Sequence, residues 1–314
     1  MSKEIRKRRF LINPTSGSGL FKNRFSSLNE YFSKNLGTFD YVVSKNAKDL
    51  FEKTRQALFD GVEQIIAIGG DGTVNIIVNA FFENGKILNP DTSLVVSKMG
   101  TGADFIKTIA NGRKNFDWRK LVLDHQIEEF DVGKIEFEKS NFKAKYFIND
   151  CGIGANAKVV AKKEQGWQFL PNKLSYIFPT LTTLPFYQPT PCEILFDQES
   201  LKIDLFALAI AKGSYAGGGM KFGIDVQPND GFFEATIFKK KSIGKLLTHL
   251  PKIYSGKYGN LDFIEKRKVK KISVRSPHAI PVEFDGEVYG ETNLQITLFP
   301  KAIRVCVPLS TINE

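Results

Sequence analysis

Cysteine is scarce in this chain. Three occur in 314 residues, at 151, 192 and 306, with no CxxC pair and no histidine beside them. That excludes a disulfide framework and a zinc site and fits a reducing compartment, so each thiol is expected to be a small core residue. The three histidines, 125, 249 and 278, share no metal-like spacing. Long apolar runs are missing as well: no stretch approaches the roughly 20 apolar residues needed to cross a bilayer. The basic start, Lys3 to Arg9, is followed only by the strand-sized Phe10-Leu11-Ile12, too short for a secretory leader, and the chain is expected to be cytoplasmic. There is no GxxxxGKS phosphate loop, and no GxGxxG opens the first helix, so neither a P-loop NTPase nor a Rossmann dinucleotide site is supported. Internal repeats, low-complexity linkers and recognisable nucleic-acid modules are also missing.

Positive charge is in excess. Lys and Arg number 44 against 34 Asp and Glu, a formal net charge of +10. The surplus is partly clustered, at Lys3 to Arg9, Lys239 to Lys241 and Lys266 to Lys271. It favours polyanions or an anionic membrane surface without choosing between them. The alternation in the last cluster also fits a solvated sheet face.

The first third alternates strands with helices. Phe10–Ile12, Tyr41–Val43, Gln64–Ile68 and Ser93–Val96 read as short apolar strands, with helical patterns over 50–59 and 73–82. Such alternation implies a parallel sheet covered on both faces, with ligands at the carboxyl ends of its strands. Near residue 127 the texture changes to strand after strand, which predicts a second, mostly antiparallel domain. The boundaries expected are 1–128 for the first domain and 129–301 for the second, with 302–314 able to return to the first.

The chemistry sits in loops. Gly69-Gly70-Asp71-Gly72-Thr73 joins the third strand to a helix, where glycines allow a close approach to an anion and a helix N-terminus favours it. Asp71 would repel a bare phosphate, and its presence makes sense if magnesium lies between them. Asn13-Pro14-Thr15-Ser16-Gly17 follows the first strand, and Gly100-Thr101-Gly102-Ala103-Asp104-Phe105 follows the fourth. Three small-residue, hydroxyl-rich loops at one sheet edge could together cradle a polyphosphate.

These three loops resemble the diacylglycerol kinase catalytic-domain family. The second half extends the resemblance, with Asn149-Asp150-Cys151-Gly152-Ile153-Gly154, Tyr215 to Met220, Pro228-Asn229-Asp230-Gly231-Phe232 and Phe284-Asp285-Gly286-Glu287 in the family's order. The likeness implies an N-terminal α/β domain similar to those of NAD kinase and phosphofructokinase, followed by a β-sandwich. It implies ATP and Mg2+ as cofactors, with a lipid acceptor held between the domains. The nucleotide would meet Asn13, Pro14, Ser16, Gly17, Ser44, Gly69, Gly70, Asp71, Gly72, Thr73, Gly100, Thr101, Gly102 and Asp104. By the same analogy Asp285 is the base for the attacking hydroxyl, assisted by Glu287 and Asp71. Asp71, Asp104 and Glu287 would bind or orient magnesium. Asn229, Asp230 and Phe232 lie where related bacterial enzymes place a separate structural metal.

The pattern has departures: Ile76 where an acidic residue is usual, Ala103 in place of Asn, and Ser97-Lys98-Met99 before the fourth-strand loop. Diacylglycerol is the expected acceptor, with sphingoid-base or ceramide-type kinases and a lipid-binding pseudokinase as alternatives. An NAD kinase would leave Gly217-Gly218-Gly219-Met220 unexplained. The apolar segment Leu174 to Tyr187, interrupted by Pro179 and Pro185, is read as core or as a border of the lipid site. The expected setting is an anionic membrane surface, bound peripherally, without nucleic acid and compatible with a homodimer.

Overall fold

The computed structural model describes residues 7–15, 21–99, 103–113, 116–138, 144–167, 174–259 and 261–309. The chain divides into two compact units, Met1–Phe130 with Ala302–Glu314, and Asp131–Lys301.

The first unit runs β1 (Arg8–Ile12), α1 (Phe21–Leu36), β2 (Asp40–Val43), α2 (Ala47–Phe59), β3 (Gln64–Ile68) and α3 (Asp71–Ala80). A small hairpin, β4 (Phe82–Glu83) and β5 (Lys86–Ile87), precedes β6 (Ser93–Val96), α4 (Asp104–Ile109) and α5 (Lys120–Leu123). Four strands pair in parallel in the order β2-β1-β3-β6. The chain's last strand (Leu294–Val307) adds a fifth beside β6, with Arg304 opposite Ser93 and Val305 opposite Leu94. Every residue of β3 and β6 is buried, as a parallel strand covered on both faces requires. Helix α2 buries Leu50, Thr54, Ala57 and Leu58, a single stripe at helical spacing, and Asn46 caps it by accepting from the Asp49 N–H at 2.9 Å.

The second unit is entered along β7 (Gln126–Phe137). It continues through β8 (Lys145–Phe147), β9 (Asp150–Gly154), α6 (Ala155–Glu164), α7 (Leu174–Thr183), β10 (Thr190–Phe196), β11 (Glu199–Leu205), β12 (Ala207–Ala211) and β13 (Phe233–Phe238). It ends with α8 (Ile243–Tyr254), β14 (Ile264–Val269), β15 (Lys271–Arg275), β16 (Pro281–Phe284), β17 (Glu287–Glu291) and β18, the last strand already placed. One antiparallel sheet has the order β14-β13-β12-β9-β16-β17, and a second antiparallel ladder runs β11-β10-β15-β18. Between them lies one apolar core. Ile194, Phe196, Ile272 and Ile296 come from one side, and Cys151, Ile153, Leu208, Phe233 and Phe284 from the other. The architecture is therefore an α/β domain with a β-sandwich after it.

Local details follow from chemistry. All three cysteines are free and buried, and burial pushes the Cys192 thiol up to about 11, leaving it without thiolate character. Much of the clustered charge is paired across the sheet surface. Arg267 meets Glu199 and Glu265 (2.6 Å each), and Lys266 meets Glu234 (3.1 Å). Helix α7 runs through Pro179 and stops two residues short of Pro185. It buries Ser175, Tyr176 and Pro179 and leaves Leu174 and Phe178 exposed, with Trp167 stacked on Phe178 at 5.4 Å. Among the described residues no helix is long and apolar enough to cross a membrane.

Candidate active site

In the first unit, parallel pairing sets the carboxyl ends of β1, β3 and β6 side by side, so their loops meet. The Asn13 N–H donates to the Ile68 carbonyl (3.0 Å), and its side-chain amide donates to Thr73 Oγ1 (3.0 Å). Asn13 Oδ1 accepts from both the N–H and the hydroxyl of Thr15, which shapes the turn at Pro14. Ser44, buried at the end of β2, donates its N–H and its hydroxyl to the Ile12 carbonyl (2.8 and 3.0 Å). Its role in this structure is to fix the β1 end.

Gly69 and Gly70 carry the chain from β3 into α3 with Gly70 extended at the N-cap, where no side chain caps the helix. Gly69 is required by space: a Cβ there would overlap Thr73 Oγ1 and Cβ. We expect Gly69→Ala to displace Thr73, break its bond to Asn13 and raise the KM for the nucleotide at least tenfold, about 1.4 kcal/mol. Steady-state kinetics at varied nucleotide concentration checks this, with circular dichroism confirming that the fold persists.

Asp71 does not cap its own helix. Its carboxylate accepts from the backbone N–H groups of Asp104 (3.0 Å) and Phe105 (3.2 Å), so it sits at the N-terminus of α4. That contact ties the Gly69–Thr73 loop to the loop after β6. Asp104 is buried and pairs with Lys107 at 2.6 Å. Ala103, which precedes α4, adopts left-handed dihedrals (φ 48°, ψ 46°) that Asn tolerates and Ala does not favour. Ile76 is half-buried on α3. Ser16, Gly17, Gly100, Thr101 and Gly102, expected at the nucleotide, lie outside the described residues.

In the second unit the candidate chemistry gathers at the β16–β17 hairpin. Asp285 and Gly286 both have positive φ (49° and 85°), the two-residue turn that Asp-Gly favours. The turn does more than reverse the chain, because Asp285 is buried and its carboxylate is held by backbone donors. Oδ1 accepts from the N–H groups of Asn149 (3.0 Å) and Asp150 (3.1 Å), and Oδ2 from that of Ile148 (3.2 Å). The Asp285 N–H returns a bond to the Asp150 carbonyl (2.9 Å). Glu287, the first residue of β17, accepts from the Tyr289 hydroxyl at 2.7 Å.

A buried carboxylate that sequence reasoning missed lies two residues before Asp285. Glu283 projects from the same face of β16, opposite the core-facing Phe284, and accepts from the Gly286 N–H at 3.2 Å. Its side chain lies over Gly152, where a Cβ would overlap both Glu283 Oε1 and the Asn156 amide. Burial pushes the Glu283 carboxyl up to about 8, against the Gly286 N–H, which lowers it; the Asp285 charge adds to the rise. Glu164 at the end of α6 is also raised, by partial burial and then by Glu287. Lys163 donates to the Tyr176 hydroxyl at 2.9 Å. The strand-period position of Glu283 relative to Asp285 was the available signal; its burial was not readable.

Comparison with known proteins identifies the family. Residues 7–135 match the diacylglycerol kinase catalytic domain, and residues 150–307 match the YegS C-terminal NAD kinase beta sandwich-like domain. The chain belongs to the diacylglycerol kinase catalytic-domain family. It is thereby a lipid kinase. A protein named diacylglycerol kinase from Bacillus subtilis (strain 168) is 24% identical over 305 residues, covering 97% of each chain. The crystal structure of a diacylglycerol kinase from Bacillus anthracis str. Sterne superposes with a TM-score of 0.71 at 20% identity, over 98% of each chain. The two matched domains together span nearly the whole chain.

Asp71 and Asp104 offer the hard oxygens magnesium prefers. Among the described residues Asp71 accepts one N–H on each oxygen, which leaves each a lone pair for a metal or its water. Asp71 fits the ion on that ground, whereas Asp104 Oδ1 pairs with Lys107 at 2.6 Å. The set expected for a second metal does not converge on an open position. Asp230 Oδ1 and the Phe232 carbonyl both meet the ammonium of Lys212, at 2.8 Å each.

Proposed function

We propose that this lipid kinase transfers the γ-phosphate of ATP to a hydroxyl of diacylglycerol, giving phosphatidic acid. The observation that carries the reading is the buried Asp285 carboxylate, fixed by three backbone N–H groups at the tip of a hairpin. A carboxylate immobilised in this way can take a proton without rearranging. As the lipid hydroxyl attacks, its proton passes to Asp285, the new O–P bond forms and the bond from the γ-phosphorus to the ADP oxygen breaks. Asp71, with Asp104 beside it, would hold magnesium, which would supply charge neutralisation at the phosphates. The Gly69–Thr73 loop and the α3 N-terminus orient the phosphates. The substrate reaches the enzyme at an anionic membrane surface. The net charge of +10 supports that setting, as do exposed Leu174, Phe178 and Phe186, three apolar side chains within 13 residues.

Transfer of labelled γ-phosphate to a lipid panel in mixed micelles tests this. Label in phosphatidic acid, dependent on Mg2+, is the expected result. Label in a sphingoid base instead would replace the acceptor. No label in any lipid, with vesicle binding retained, would reject catalysis and favour a lipid-binding protein.

A further inference from the structure

Lys212 follows directly on β12 and has a fully buried side chain. An isolated ammonium in such a place would cost several kcal/mol of desolvation. This one is compensated on every side. Nζ lies 2.8 Å from Asp131 Oδ2, 2.8 Å from Asp230 Oδ1 and 2.8 Å from the Phe232 carbonyl oxygen. Three acceptors meet the three N–H bonds of an ammonium.

The surroundings are just as complete. Asp131, itself fully buried, also accepts from the N–H groups of Gly231 (2.8 Å) and Lys301 (2.9 Å), and its own N–H donates to the Pro228 carbonyl (2.8 Å). Asp230 Oδ1 accepts from the Phe232 N–H at 3.1 Å, and its Oδ2 lies 4.0 Å from Lys268. Two lysines therefore face two aspartates, and the cluster is neutral without another ion. Magnesium asks for six oxygens at about 2.0–2.1 Å in a near-octahedral shell. Here the point shared by Asp131, Asp230 and the Phe232 carbonyl is filled by nitrogen at hydrogen-bond distance. Among the described residues no group of three or more acidic, His or Cys side chains is arranged to hold a metal.

We propose that Lys212 is a built-in cation that takes the place of a structural divalent metal in the 226–232 loop, so the sandwich unit holds this loop without metal. Lys212 ties two separate parts of the chain to the end of β12: Asp131 at the unit's first residue, and the 226–232 loop through Asp230 and the Phe232 carbonyl. Its ammonium does so through the same carboxylate and carbonyl oxygens that a divalent ion would use.

Thermal unfolding of the full-length, nucleotide-free protein tests the proposal, in EDTA and in millimolar MgCl2, for wild type, Asp230→Asn and Lys212→Met. The expected result is an equal Mg2+ response in wild type and Asp230→Asn, including none in either. Lys212→Met should melt lower in both buffers by on the order of 10 °C, because it strands the buried Asp131 carboxylate and the half-buried Asp230 carboxylate. A wild-type midpoint that rises with Mg2+ more than that of Asp230→Asn would overturn the proposal, since the difference would locate a metal at Asp230. An unchanged midpoint in Lys212→Met would overturn it too. Should Lys212→Met fail to fold, the comparison of wild type with Asp230→Asn still decides.

Discussion

Asp285→Asn is expected to lower kcat by about 10³-fold while leaving the KM for ATP near its wild-type value. The exchange keeps the shape of the side chain and removes its capacity to take a proton. It also disturbs the hairpin, because the new amide turns a donor towards the Ile148 N–H, which now donates to Oδ2 at 3.2 Å. Stranding one buried N–H costs about 1–3 kcal/mol. A loss of that size leaves the protein folded and cannot by itself produce a thousandfold fall in turnover. Kinetics and thermal melting on one preparation separate the two effects. A folded variant with near-normal kcat would remove Asp285 from the chemistry.

Glu283→Gln is expected to change how stability depends on pH. Burial, first of all, pushes the folded-state carboxyl up to about 8 from the ordinary 4.5. Between those values the folded chain keeps a proton that the unfolded chain has released. Stability from this group is therefore full below pH 4.5 and declines as pH rises, by about 1.4 kcal/mol per unit, until the folded carboxyl ionises near pH 8. Glutamine keeps the shape and cannot ionise. The variant should be more stable than wild type at pH 8 and little different at pH 5. Denaturant unfolding across that range checks it, and parallel curves for the two proteins would show that Glu283 is not held protonated. The same exchange tests whether Glu283 steadies Asp285. As a brace on the Gly286 N–H it should alter the pH profile of kcat more than the KM for lipid.

The turns at the candidate loops were legible because their signals are local. Gly69-Gly70-Asp71-Gly72-Thr73 is a strand-to-helix turn by composition alone, and Asp285-Gly286 is a hairpin turn by composition alone. What these residues touch was not legible. Asp71 bonds to backbone 33 and 34 positions later, and Asp285 to backbone 135 to 137 positions earlier. Ser97 was read only as a departure before a loop. Its buried hydroxyl in fact accepts from the Gly69 N–H at 3.1 Å and lies 3.3 Å from the Gly69 carbonyl. It thereby joins the ends of β3 and β6.

Periodicity determined the two-part architecture by itself. Fully apolar strands alternating with helices can be buried only in a covered parallel sheet, and the later alternating strands only in a sandwich. Residue types at turns likewise fixed where glycine and aspartate had to stand. Tertiary structure alone decided charge and protonation. A lysine at 212 reads as a surface residue, yet folding surrounds it with Asp131, Asp230 and the Phe232 carbonyl. A glutamate at 283 reads as one more strand residue, yet folding sets it dry beside Asp285. The energy of a charge depends on its distance from water and from other charges, and neither distance exists until segments far apart in sequence come together.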